Sequence, residues 1–81
     1  MTRDSVQAMA EAVFPGEAVG TIMAILDEYG TVTHEPERDR VQRAVLVLSA
    51  GNIDKLLHNV TAAKQDYRDV LYWAEHPDDA A

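Results

Sequence analysis

Cysteine is absent from these 81 residues. Without it the chain can form no disulfide, no thiolate nucleophile and no cysteine zinc site, and the composition fits a reducing compartment. Basic residues are scarce, 7 against 14 acids, for a formal net charge of −7. Nucleic-acid binding rests on cationic contacts to phosphate, so this balance speaks against a nucleic-acid partner and against an anionic membrane surface. The shortage is steeper in residues 1–40, with 8 acids and 3 bases, than in 41–81, with 6 and 4. A basic partner would suit that charge, but solubility is the simpler account of it. The longest unbroken apolar runs, residues 22–26 and 44–48, are far too short to span a bilayer. The opening Met1-Thr2-Arg3-Asp4-Ser5 has no apolar core of the kind a signal peptide needs, and the cytoplasm is the expected compartment. Glycines at 16, 20, 30 and 51 are isolated, so there is no glycine-rich phosphate loop.

What is present reads as helix, in a single domain over 1–81 with a short acidic tail at 77–81. A first helix is expected over about 5–14, capped by Asp4, with Val6, Met9, Ala10 and Val13 as its apolar stripe. Pro15 suits the first turn of a second helix reaching Tyr29, and Gly30 is a residue that closes helices in left-handed geometry. A loop over 30–35 precedes a third helix beginning at Pro36. Its stripe is Val41, Ala44, Val45 and Leu48, with Leu46 and Val47 off the stripe, so it is expected at the centre of the core. Gly51-Asn52 closes this helix and caps the next, a connection short enough to make the two neighbours and close to antiparallel. The fourth helix runs from Ile53 to Glu75 or His76. The fold class is therefore all-α: four helices around an antiparallel hairpin of the third and fourth, the last being the longest.

At 100° per residue the fourth helix buries Ile53, Leu56, Leu57, Val60, Ala63, Tyr67, Val70, Leu71 and Ala74. Asp66 and Arg68 then border that face and Asp69 opposes it. Tyr72 and Trp73 fall on the outer side with His58, Gln65 and His76. Two aromatics and two histidines are unusual there and call for a cover. That cover is either the first helix or a partner, a second copy among the options.

No complete catalytic set emerges. Asp66-x-x-Asp69 places two carboxylates on adjacent helical positions, as acid/base or metal chemistry would need, but such pairs are common on solvated helices. Arg68 beside the stripe reads more simply as a structural clasp than as a substrate ligand. His58 and His76 are too far apart to share a metal, and there is no His-x3-His or His-Glu-x2-His motif. His34 with Glu35, Glu37 and Asp39 could hold a metal in the loop, although ordinary loop polarity explains it as well. Ser5 and Ser49 lack a histidine at any fixed relation. No cofactor is implied. Two readings follow. The first is a non-catalytic protein-interaction module or homodimer using Tyr72, Trp73, Gln65, His58 and His76. The alternative is a small enzyme or ligand-binding protein with a polar cleft around Asp66, Arg68, Asp69 and Tyr72.

From Val41 onward the residues Gln42, Ala44, Leu48, Gly51-Asn52, Leu56, Val60, Ala63-Lys64, Asp66-Tyr67-Arg68-Asp69-Val70-Leu71, Trp73-Ala74-Glu75 and Pro77 form a pattern. It resembles a group of small uncharacterised bacterial proteins that share an AK-DYRDVL-WAE-P ending. The resemblance implies a bacterial, cytosolic, stand-alone protein, and no activity or site residue.

Overall fold

The computed structural model describes residues 3–30 and 37–76. They form α1 (Arg3–Val13), α2 (Val19–Leu26), α3 (Arg38–Ser49) and α4 (Ile53–Glu75), with no strand among the described residues. One apolar cluster holds the four together. Val6, Ala10, Phe14, Ile22, Leu26, Tyr29, Val41, Val45, Leu46, Leu56, Val60, Ala63 and Val70 are all buried in it. The most extensive packing is between α3 and α4.

Side-chain bonds fix the directions. Arg40, in the first turn of α3, grips Glu75, in the last turn of α4, so the two run antiparallel from their short link at 50–52. Arg43 in mid-α3 donates to Ser5 Oγ at 2.6 Å, while Gly51, just past α3, lies against the Val13 carbonyl at the end of α1. Helix α1 therefore runs parallel to α3. It packs on α3 and α2, and Tyr72 and Trp73 stay exposed, so it does not serve as the cover expected for the outer side of α4.

The C-terminal end of α2 is tied to both long helices. A helix leaves its last carbonyls without partners. Here the fully buried Gln42 donates from Nε2 to the carbonyls of Leu26 at 2.8 Å and Tyr29 at 3.1 Å. Lys64 Nζ donates to the Glu28 carbonyl at 2.7 Å, and Arg38 pairs with Asp27 at 2.9 Å. Gly30, at φ 98°, leaves space that the Arg38 stem fills; a Cβ there would overlap it.

Several boundaries differ from the sequence reading, each for a local reason. Helix α2 starts at Val19 rather than Pro15, because residues 15–17 form a turn and extended Ala18 accepts the first helical bonds from Thr21 and Ile22. Tyr29 sits in the turn after α2, yet it is fully buried. Helix α3 starts at Arg38, after Glu37 in left-handed geometry (φ 54°); Pro36 lies outside the described residues. Ala50 (φ 50°) enters the left-handed region before Gly51 (φ 81°) does, so glycine shares the closing of α3. Asn52 caps α4 as expected, accepting from Lys55 N–H at 3.1 Å. Leu46 is buried and Val47 is 52% exposed, so only one of the two off-stripe residues joins the core. Leu57, expected on the buried stripe, is 43% exposed.

The largest departure lies inside α4. Asp66 has φ −156° and ψ 99°, extended geometry in the middle of a helical run. A straight 23-residue helix would reach about 35 Å, longer than the 30 Å long dimensions of the molecule. The chain instead divides α4 into two pieces, 53–65 and 67–75.

Candidate functional site

The break at Asp66 explains the tetrapeptide Asp66-Tyr67-Arg68-Asp69. The extended backbone of Asp66 is what an N-cap requires, and its Oδ1 accepts the N–H of Arg68 at 3.0 Å, two residues on. Asp66 thus caps the second piece of α4 as Asn52 caps the first. The Arg68 guanidinium folds back on the same carboxylate, Nε to Oδ1 at 3.0 Å and Nη2 to Oδ2 at 3.2 Å. These bonds hold the Asp66 carboxyl below its ordinary range and raise the Arg68 guanidinium above its own. Arg68 remains 76% exposed at its side chain. The pair is a joint between two helices.

An open cleft of about 360 Å³ lies at this joint, lined by Ala63, Lys64, Gln65, Asp66, Tyr67 and Arg68. It brings together two of the four residues of the expected polar cleft. Asp69 and Tyr72 are outside it. Its lining is one unbroken stretch of chain, so it is a notch in a single element. Its charged groups are already engaged, Asp66 with Arg68 and Lys64 with the Glu28 carbonyl.

The second piece of α4 is pinned at its far end. Arg40 donates to both oxygens of Glu75, at 2.9 and 2.6 Å, and to Glu37 at 3.0 Å. This paired fork depresses the Glu75 carboxyl and raises the Arg40 guanidinium. Val70 and Leu71 face inward and are buried, while Tyr67 is half-buried. Asp69 is solvated surface, as its position in the helix suggests.

On the outer side Tyr72 is 48% and Trp73 37% exposed. The Tyr72 ring lies 4.9 Å from that of His76, one turn on, at an interplanar angle of 33°. His58 and Gln65 are also exposed, but they belong to the first piece. The non-helical residue between the pieces removes the rotational register that would align all five. The structure therefore brings together Tyr72, Trp73 and His76, with Asp69 one turn before Trp73. Val47 and Leu57 are the other large apolar side chains exposed among the described residues.

For the remaining candidates, His34 and Glu35 lie outside the described residues, and Glu37 pairs with Arg40. Among the described residues no three His, Asp or Glu side chains gather in a way that could hold a metal ion. Ser49 is buried and donates to the Leu46 carbonyl at 2.7 Å; Ser5 takes the Arg43 bond. Gln42 and Lys64 were not singled out for any role in the sequence. Their signal would have been a polar residue at the edge of an apolar stripe, which is indistinguishable from ordinary surface until α2 is placed beside it.

Comparison with family models, with curated proteins and with solved structures finds no match. No described helix is long and apolar enough to cross a membrane.

Proposed function

We propose that this chain is a non-catalytic protein-interaction module, with the outer face of residues 67–76 as its contact surface and a second copy as the first partner to test. The observation that carries the reading is the pair Tyr72 and Trp73. Both are substantially exposed on a short helix that is capped at its start and clamped at its end. Aromatic side chains on a rigid backbone anchor interfaces, because they cover much area at little conformational cost. A chain of this size also gains stability from any partner that binds only its folded form. The absence of cysteine and the acidic charge suit a cytoplasmic setting, and the resemblance of the C-terminal half suits a bacterial one.

The test is sedimentation velocity across a wide concentration range, with Tyr72→Ser and Trp73→Asp combined in the comparison protein. The wild type should show a concentration-dependent dimer and the double variant a folded monomer. If the wild type stays monomeric, and immobilised protein retains nothing from a bacterial extract that the double variant fails to retain, the reading is wrong.

The alternative, a small enzyme or ligand-binding protein, rests on the notch at Asp66 and Arg68. Those two groups satisfy each other, and no side chain from a second element joins them in its lining.

A further inference from the structure

The second piece of α4 is attached to the rest of the fold in an unusual way. It is continuous with the first piece except for one residue, Asp66, whose dihedrals alone leave the helical region. Everything else that holds it is contact with the body of the protein. Val70 and Leu71 are buried in the shared core, and Glu75 grips Arg40 of α3. At the joint itself the surface is open, in the cleft lined by residues 63–68. Both sides of the joint are helix, so a turn of φ and ψ at Asp66 alone would make α4 one straight rod. In that form the arm leaves its own α3, and the surface it vacated is already shaped for an identical arm.

We infer that Tyr67–Glu75 is an exchangeable arm that, with Asp66 taken up into a continuous α4, docks on α3 of a second copy of this chain. Each copy would then receive the other's Val70, Leu71 and Glu75, with Arg40 of one copy pairing with Glu75 of the other. The interface is closed and two-fold, because each arm repeats the contact its own chain gave up. The hinge is short, the condition that favours such exchange. The bent form is held by the Asp66 cap and the Arg68 fork; the straight form gains helical bonds through the joint. This exchange is separate from the Tyr72 and Trp73 face, which stays outward in both forms.

Asp66→Ala removes the cap and puts a strong helix former at the hinge. Each hinge should favour straightening by about tenfold. Two hinges straighten per dimer, so the dimer association constant should rise about a hundredfold, read by sedimentation velocity with circular dichroism confirming retained helix. Inserting Gly-Ser-Gly-Ser after Gln65 lets the arm reach its own α3 without strain and, with Tyr72→Ser and Trp73→Asp present so that the aromatic face cannot associate, should return the Asp66→Ala protein to monomer. Combining Asp66→Ala with Tyr72→Ser and Trp73→Asp should leave its dimer intact, which separates this interface from the aromatic face. The identity of the contact is read by mixing two Asp66→Ala proteins, one with Arg40→Glu and one with Glu75→Arg. Exchange makes mixed dimers with two matched charge pairs, so native mass spectrometry should show them well above the statistical half. An Asp66→Ala protein that stays monomeric, a dimer that survives the insertion when the aromatic pair is removed as well, one lost with the aromatic pair, or a statistical mixture would each overturn the inference.

Discussion

The two pieces of α4 begin alike and end differently. Each opens on an Asx side chain that accepts a backbone N–H of its own first turn, Asn52 from Lys55 and Asp66 from Arg68. Each buries an apolar face, Leu56, Val60 and Ala63 in the first and Val70 and Leu71 in the second. Outside, they diverge. The first shows Asp54, Lys55, His58, Thr61, Lys64 and Gln65 to solvent, with Leu57 the one large apolar exception. The second shows Tyr72 and Trp73 beside Arg68, Asp69 and Glu75. The first is also bound on its far side, through Lys64 to α2, while the second is secured at its tip by one exposed ion pair. Scaffold and proposed contact surface thus lie on one secondary-structure element, separated by a single non-helical residue.

Core truncation should break the comparison most strongly. Leu56→Ala, at a fully buried site in the scaffold piece, should cost about 3 kcal/mol of unfolding free energy. Val70→Ala in the arm should cost less, about 2 kcal/mol, since fewer methyl groups are lost. Both are read from urea midpoints. No loss at Val70 would mean that the arm does not dock on the core at all.

The two caps come next. Asn52→Ala should cost about 1 kcal/mol, because nothing else takes the freed Lys55 N–H. Asp66→Ala should cost clearly less at concentrations where the variant dimerises, as alanine lets the helix run through the joint while the arm docks on a second copy. Equal losses in thermal unfolding would argue against a hinge at Asp66.

Acid should separate the two pieces more gently. The carboxyls of Glu75 and Asp66 are both depressed, chiefly by hydrogen bonds from Arg40 and Arg68. A depressed carboxyl contributes stability that is present above its unfolded-state pKa and lost as pH falls through its folded value. Glu75 lies in the arm and Asp66 caps it, while the Asn52 cap does not titrate. Amide shifts and exchange rates followed from neutral pH down to about pH 3, below the ordinary carboxylate range, should therefore loosen residues 66–75 while 53–65 hold. High salt at neutral pH should act in the same direction, since both ion pairs are exposed and screened. The smallest effect on stability belongs to Tyr72→Ser with Trp73→Asp, compared below the concentration at which the protein associates, because neither side chain is part of the buried cluster.

Much of this architecture was legible from short-range patterns. Asn52 after Gly51 announced the hairpin, and the stripes of α3 and α4 announced their packing, because caps and periodicity are written in neighbouring residues. Asp66 was not legible. It sits between Ala63 and Tyr67, where the apolar stripe continues without interruption, and an aspartate on a helix flank looks the same whether it caps a new helix or faces water. Extending one helical phase across it merged His58 and Gln65 with Tyr72, Trp73 and His76 into a single face. The role of Gln42 was hidden for the converse reason: its partners, the carbonyls of Leu26 and Tyr29, are backbone atoms on another element. Tyr72 and Trp73 were legible as residues in need of a cover. On the proposed reading that cover is a second copy of the chain.

Trp73 is the single tryptophan of the chain, so its fluorescence reports on the arm's outer face alone. Emission should be recorded as protein concentration rises through the range in which sedimentation shows association, for wild type and for Tyr72→Ser. The account predicts a shift to shorter wavelength in the wild type as the indole leaves water, and an unchanged, water-like emission in the variant. Emission that stays water-like in the wild type while the protein associates would contradict it.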